Sequence, residues 1–133
     1  MEISERSKLI ANGPVWKFMG IEVTKSTPGY SEIELSIKDH LLQIYGNVHG
    51  GVQAMLIDCA IAIALAPMLK EDEGSATVEL KTNYIRPGNG EKLYCKGSIK
   101  HKGKNLIFGH AEIINDSGKL VASGSATFMI IKK

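Results

Sequence analysis

The chain of 133 residues is sized for one domain with one hydrophobic core. Its apolar fraction of 44%, charged fraction of 23% and net charge of +2 are ordinary for a globular protein and argue against a nucleic-acid partner. Charges throughout residues 1–20 and the short longest apolar run, residues 59–69 with Pro67 inside it, argue against a signal segment or a membrane span, so a cytoplasmic location with Cys59 and Cys95 reduced is expected.

At the start, residues 4–11 predict a short helix with Ser4 as its N-cap and Asn12-Gly13 as its stop. Residues 14–19 add another turn, so a helical segment is expected over about residues 4–19. Residues 21–24 alternate, Pro28-Gly29 turns the chain, and residues 32–37 alternate cleanly as a half-buried strand does. A mixed connection over residues 38–48 leads to a helix that opens at Gly50-Gly51 and is broken near Ala66 by Pro67. Glu71-Asp72-Glu73-Gly74 reads as a solvated loop.

Four strands follow. Residues 77–85 place Val78, Leu80 and Tyr84 on one face, and Arg86-Pro87-Gly88-Asn89-Gly90 is turn chemistry. Residues 92–100 set Leu93, Cys95 and Ile99 against lysines, with a tight connection over residues 101–105. Residues 106–114 and 120–131 flank the turn Asn115-Asp116-Ser117-Gly118. Short turns make consecutive strands antiparallel neighbours. The class is α+β, one long helix on an antiparallel sheet of about five to six strands.

The long helix carries the chemistry. From Val52 to Leu69 only Gln53 and Asp58 interrupt apolar residues, and a helix apolar nearly all round is a buried helix. A carboxylate there costs several kcal/mol, by rough estimate, unless it is paired or shifts its pKa. Upstream, Asn47-Val48-His49-Gly50-Gly51 opens the same helix. Its first amides lack internal partners and sit at the positive end of the dipole, so a Gly50 N–H can hold an oxyanion, an effect worth about 3 kcal/mol in a transition state. Eight residues at 1.5 Å rise separate Gly50 from Asp58 by roughly 12 Å, too far for both to act on one carbonyl. Two antiparallel copies would each lend one group to each of two sites. The small residues Ala54, Ala60, Ala62 and Ala64 would let such elements approach. A symmetric dimer with sites at its interface follows.

The segment from Asn47 to Gly51, with Asp58 nine residues after His49, resembles the hotdog-fold acyl-CoA thioesterases, most closely the phenylacetate-degradation type and its 4-hydroxybenzoyl-CoA relatives. The resemblance runs from about Pro14 to Ile131 and implies one hotdog thioesterase domain over residues 1–133. It implies a long central helix packed on a curved sheet, homodimers that join as dimers of dimers, and acyl-CoA as substrate, with no cofactor beyond the coenzyme A of that substrate and no metal. By the same resemblance Asp58 is nucleophile or general base, Gly50 the oxyanion donor, Gln43 an orienting amide, and Thr77 a hydroxyl that positions water. His49, Gly51 and Asn47 shape the helix entrance for substrate.

Charge is uneven: residues 1–80 hold 6 Lys and Arg against 11 Asp and Glu, whereas residues 81–133 hold 10 against 3. A basic second half favours an anionic ligand, and the resemblance implies that Arg86, Lys102 and Lys104 meet coenzyme A phosphates; the plain alternative is a solvated lysine face. Asp58 has a structural alternative as an acid bonded to backbone or Lys. Gly50 and Gly51 have one in packing, and Cys59 is a small core residue without a paired base. At the level of function the rivals are a non-catalytic acyl-CoA-binding hotdog module and an enoyl-CoA hydratase.

Overall fold

The computed structural model describes residues 3–132; Met1, Glu2 and Lys133 of the expected domain lie outside it. Two short helices, α1 (Glu5–Ala11) and α2 (Pro14–Met19), precede the strands β1 (Ile21–Thr27) and β2 (Tyr30–Ser36). Ser4 caps α1 by accepting the Ser7 N–H, and Gly20 ends α2 in the left-handed region at φ 76°, where a side chain would be strained. A 3-10 turn at Asp39–Leu41 leads into the long helix α3 (Gly50–Leu65). Pro67 ends α3 as expected, in a second 3-10 turn at Ala66–Met68. The strands β3 (Glu73–Tyr84), β4 (Lys92–Lys102), β5 (Leu106–Ile114) and β6 (Leu120–Lys132) complete the chain.

All six strands form one antiparallel sheet in the order β1-β2-β4-β5-β6-β3. α3 touches every one of them, so the sheet curls around the helix. This is the expected hotdog layout. Leu56, Ile57, Ala60, Ile61, Ile63 and Leu65 are fully buried against Ile33, Leu35, Leu93, Cys95, Ile107 and Ile113 of the sheet. The stretch Gly50–Met68 is long and apolar enough to span a membrane by length and composition, and its 56% burial inside the chain accounts for that character.

A row of small residues seats the helix. Ser31, Gly97, Ala111, Gly124 and Thr82 are register partners across β2, β4, β5, β6 and β3. A Cβ on Gly97 would lie 2.5 Å from the Ala60 carbonyl oxygen, and one on Gly109 would lie 2.6 Å from Ile61 Cγ2. Helix carbonyls are tied to the β1–β2 hairpin as well: Ser31 Oγ donates to Ala60 O at 2.5 Å, Ser26 Oγ to Ile63 O at 3.2 Å, and the Gly29 N–H to Ala64 O at 2.9 Å.

Three expectations need correction. Glu73 is no solvated loop residue: it begins β3 at 6% exposure, because its carboxylate accepts the Lys70 N–H at 2.8 Å and Lys132 Nζ at 3.1 Å. β4 runs through His101 to Lys102, where the connection was expected, by absorbing a register shift between Ile99 and His101. Val78 does not lie on the face of Leu80 and Tyr84, whose register partners are the buried Ala126 and Ala122. β3 is an edge strand with a bulge between Thr77 and Glu79, which turns Val78 out to 57% exposure. The alanines of α3 also divide. Ala60 and Ala64 are buried against this chain's own sheet, whereas Ala54 and Ala62 lie on a half-exposed face with Gly51, Met55 and Asp58.

Candidate functional site

The loop before α3 spends its backbone amides almost completely. Gln43 Oε1 accepts the N–H groups of Tyr45 at 2.6 Å and Asn47 at 3.3 Å. The Gly46 N–H reaches Gln43 O at 3.0 Å, the Val48 N–H reaches Gly88 O at 2.8 Å, and the His49 N–H reaches Leu41 O at 2.9 Å. His49 is the N-cap: its Nδ1 accepts the Gly51 N–H at 2.8 Å, which places the ring proton on Nε2. Val52 and Gln53 donate to His49 O at 3.0 and 3.1 Å. From Tyr45 to Gln53, among the described residues, the Gly50 N–H alone has no acceptor. Gly50 therefore carries an unspent donor at the positive tip of a sixteen-residue helix.

Asp58 sits two turns further along α3. Thr77, at the bulge of β3, donates its hydroxyl to Asp58 Oδ1 at 2.9 Å, and Oδ2 has no partner among the described residues. Burial raises the carboxyl above its usual pKa of 3.8, and the Thr77 hydrogen bond opposes this only in part. The pairing of Asp58 with Thr77 joins two of the expected site residues within one chain. Cys59 beside it is a core residue whose thiol is pushed up to about 12 by burial and then by the Asp58 charge, so it stays protonated and a poor nucleophile.

Two clefts flank the helix tip. One, of about 320 Å³, is lined by Gln43, Asn47, Gly50, Gln53, Tyr84 and Arg86 among others. It gathers four of the expected site residues. Gln43 has committed its oxygen to the loop, so only its Nε2 hydrogens remain to meet a ligand. Asn47 Oδ1 accepts Asn89 Nδ2 at 3.4 Å, and the Arg86 guanidinium donates to the Leu120 carbonyl. On the other side is an apolar cleft of about 380 Å³, lined by His49, Gly51, Phe18, Leu42, Val52 and Met55 among others. A larger cavity of about 490 Å³ between α1 and the start of β3 includes none of the expected site residues.

Lys102 and Lys104 are not brought to the helix tip. Lys102, Ile107, Phe128 and Thr77 are register partners along one row, three strand spacings of about 4.8 Å each from β4 to β3. Two contributors escaped sequence reading. Tyr84 donates its hydroxyl to the Gly50 carbonyl at 2.6 Å, a contact between residues 34 apart that no local pattern announces. Gln53, 3% exposed, donates Nε2 to Val48 O at 3.2 Å, while its Oε1 has no partner among the described residues. Its interruption of the apolar run was the available signal.

Residues 45–122 match the family described as the thioesterase superfamily. The chain is 24% identical over 115 residues to the 1,4-dihydroxy-2-naphthoyl-CoA hydrolase of Listeria monocytogenes, covering 86% of this chain and 94% of that protein. It is 25% identical over 135 aligned positions to the medium/long-chain acyl-CoA thioesterase YigI of Escherichia coli, covering 88% and 85%. The fold is similar to the crystal structure of a Haemophilus influenzae thioesterase at a TM-score of 0.88 and 21% identity, covering 99% of this chain and 92% of that one.

Proposed function

This chain belongs to the thioesterase superfamily, and from that premise we propose that it hydrolyses an acyl-CoA thioester to the free acid and coenzyme A. The observation that carries the reading is the unspent Gly50 amide, at the tip of the helix whose sole carboxylate, Asp58, is bonded to Thr77. The thioester carbonyl oxygen accepts from the Gly50 N–H, which stabilises the charge developing there. Asp58 of the partner subunit completes the site, because roughly 12 Å of helix separates the two groups within one chain.

Two routes share this geometry. In one, the free Asp58 oxygen bonds to the carbonyl carbon, coenzyme A leaves as thiolate, and water cleaves the resulting anhydride. In the other, Asp58 takes a proton from a water that attacks directly. A raised carboxyl pKa makes the Asp58 carboxylate a stronger base than an ordinary aspartate, and Thr77 holds its other oxygen. Gln43 contributes as a donor, orienting water or substrate. His49, Gly51 and Asn47 shape the helix entrance, and Arg86, Lys102 and Lys104 are assigned to the coenzyme A phosphates across the dimer. The motif spacing supports the phenylacetate-degradation type, acting as a dimer of dimers. The names of the Listeria and E. coli relatives, one a naphthoyl-CoA hydrolase and one an acyl-CoA thioesterase, support a coenzyme A thioester as substrate.

Thiol release from a panel of aryl and aliphatic acyl-CoAs tests the proposal. Wild-type protein should release thiol from at least one, and Asp58→Asn should lower kcat by about 100-fold or more. A wild type that releases none from the whole panel overturns it. Solvent oxygen found in Asp58 after a single turnover in oxygen-labelled water identifies carboxylate attack, since water that opens the anhydride at the Asp58 carbonyl leaves its oxygen there.

A further inference from the structure

The end of β3 grips the helix entrance on both sides of Gly50. Four residues beyond Tyr84, the Gly88 carbonyl takes the Val48 N–H at 2.8 Å, and Gln53 Nε2 holds the Val48 carbonyl at 3.2 Å. Tyr84 itself donates to the Gly50 carbonyl at 2.6 Å. That carbonyl belongs to the Gly50–Gly51 peptide, whose N–H is held by His49 Nδ1 at 2.8 Å. One peptide plane between two glycines is thus fixed at both ends. Glycine pairs are the most freely rotating backbone, so restraint on both peptides that flank Gly50 bears on how closely its N–H is aimed.

We propose that Tyr84 is a positioning residue that aims the Gly50 amide, acting through its hydroxyl on the Gly50–Gly51 peptide. The inference rests on the thioesterase reading of this site. The free Gly50 N–H lies in the preceding peptide, whose His49 carbonyl takes the Val52 and Gln53 N–H groups at 3.0 and 3.1 Å, and the Tyr84 bond to the Gly50 carbonyl locks the other side of the same α-carbon. An oxyanion donor stabilises a transition state only as far as it is already oriented before the charge appears. The tyrosine and the glycine are matched sterically as well: a Cβ at position 50 would lie 3.3 Å from the Tyr84 ring.

A stability role explains the contact poorly. Tyr84 is 53% exposed, so its hydroxyl would be satisfied by water without Gly50, and removing it strands no buried polar group. Tyr84→Phe keeps the ring and deletes the bond, and two measurements read the result. Hydrolysis should show kcat lowered about fivefold with KM within about twofold, the split expected when an interaction serves the transition state alone. In the substrate-free protein, amide hydrogen exchange at Gly51 should accelerate, because its peptide plane is loosened. A variant with wild-type kcat, or one whose whole loss appears in KM, overturns the proposal, and so does unchanged Gly51 exchange. If the wild type hydrolyses no thioester, the functional reading fails, while the exchange measurement still decides whether Tyr84 restrains this peptide.

Discussion

Asp58 is under two opposed demands. Its place on a mostly buried helix disfavours the charged form and raises its pKa, whereas its work requires that form. The sign follows from linkage. A carboxyl whose folded pKa lies above its unfolded value weakens folding at pH above the folded pKa, and the penalty disappears as pH falls below the unfolded value. Asp58→Asn keeps an oxygen for the Thr77 hydroxyl and removes the charge, so its thermal midpoint at pH 7 should exceed that of the wild type, and the difference should vanish at about pH 3. Wild-type activity should fall as pH is lowered, with a midpoint above 3.8. Thermal melts and rates across pH check both, and an Asn variant less stable at pH 7 would contradict the assignment. Asp58 and Gly50 stood out in the sequence because one carboxylate in an apolar run and a glycine pair at a helix start are local patterns, whereas Thr77 came from the family resemblance alone. Tyr84 did not stand out, because its partner lies 34 residues away and only the curl of the sheet brings them together.

At the scale of elements, the seat of α3 depends on what the sheet omits. Gly97 in β4 faces the Ala60 backbone, and an added methyl would come within 2.5 Å of its carbonyl oxygen, 2.7 Å of its carbonyl carbon and 2.9 Å of Ser31 Oγ. Helix backbone cannot rotate away as a side chain can, so the helix must lift. Gly97→Ala should destabilise the fold by about 1–3 kcal/mol, the usual range for overpacking a core, read from the denaturation midpoint. It should also lower activity, since the same lift moves Asp58 two residues before Ala60. A neutral substitution would show that the small-residue row does not set the helix position. The helix and the strands announced themselves through apolar runs and alternation. Element ends were harder to read. Glu73 resembles a loop residue until Lys132, 59 residues later, arrives to pair with it. The bulge at Thr77 shifts the face of Val78 without any glycine or proline to mark it.

The whole molecule remains half a site if the two essential groups must meet on one carbon. α3 leaves Gly51, Met55, Asp58 and Ala62 along its half-exposed face, and β3 leaves an unpaired edge beside it. Both features fit a second copy, and complementation tests whether the site is shared. The amide can be deleted without unfolding the helix. Gly50 is the first residue of α3, where proline is favoured, and His49 at φ −56° and ψ 137° has the backbone that a following proline demands. The Cβ of the new ring meets Tyr84 at 3.3 Å, and a half-exposed tyrosine can yield the few tenths of an ångström needed. Gly50→Pro and Asp58→Asn should each be nearly inactive alone. Refolded together in equal amounts, half of the dimers carry one chain of each kind, and each mixed dimer assembles one intact site from the unaltered Gly50 of one chain and the unaltered Asp58 of the other. Activity should return to about a quarter of the wild-type value. If each chain built its own site, every chain in the mixture would be defective and no activity would return.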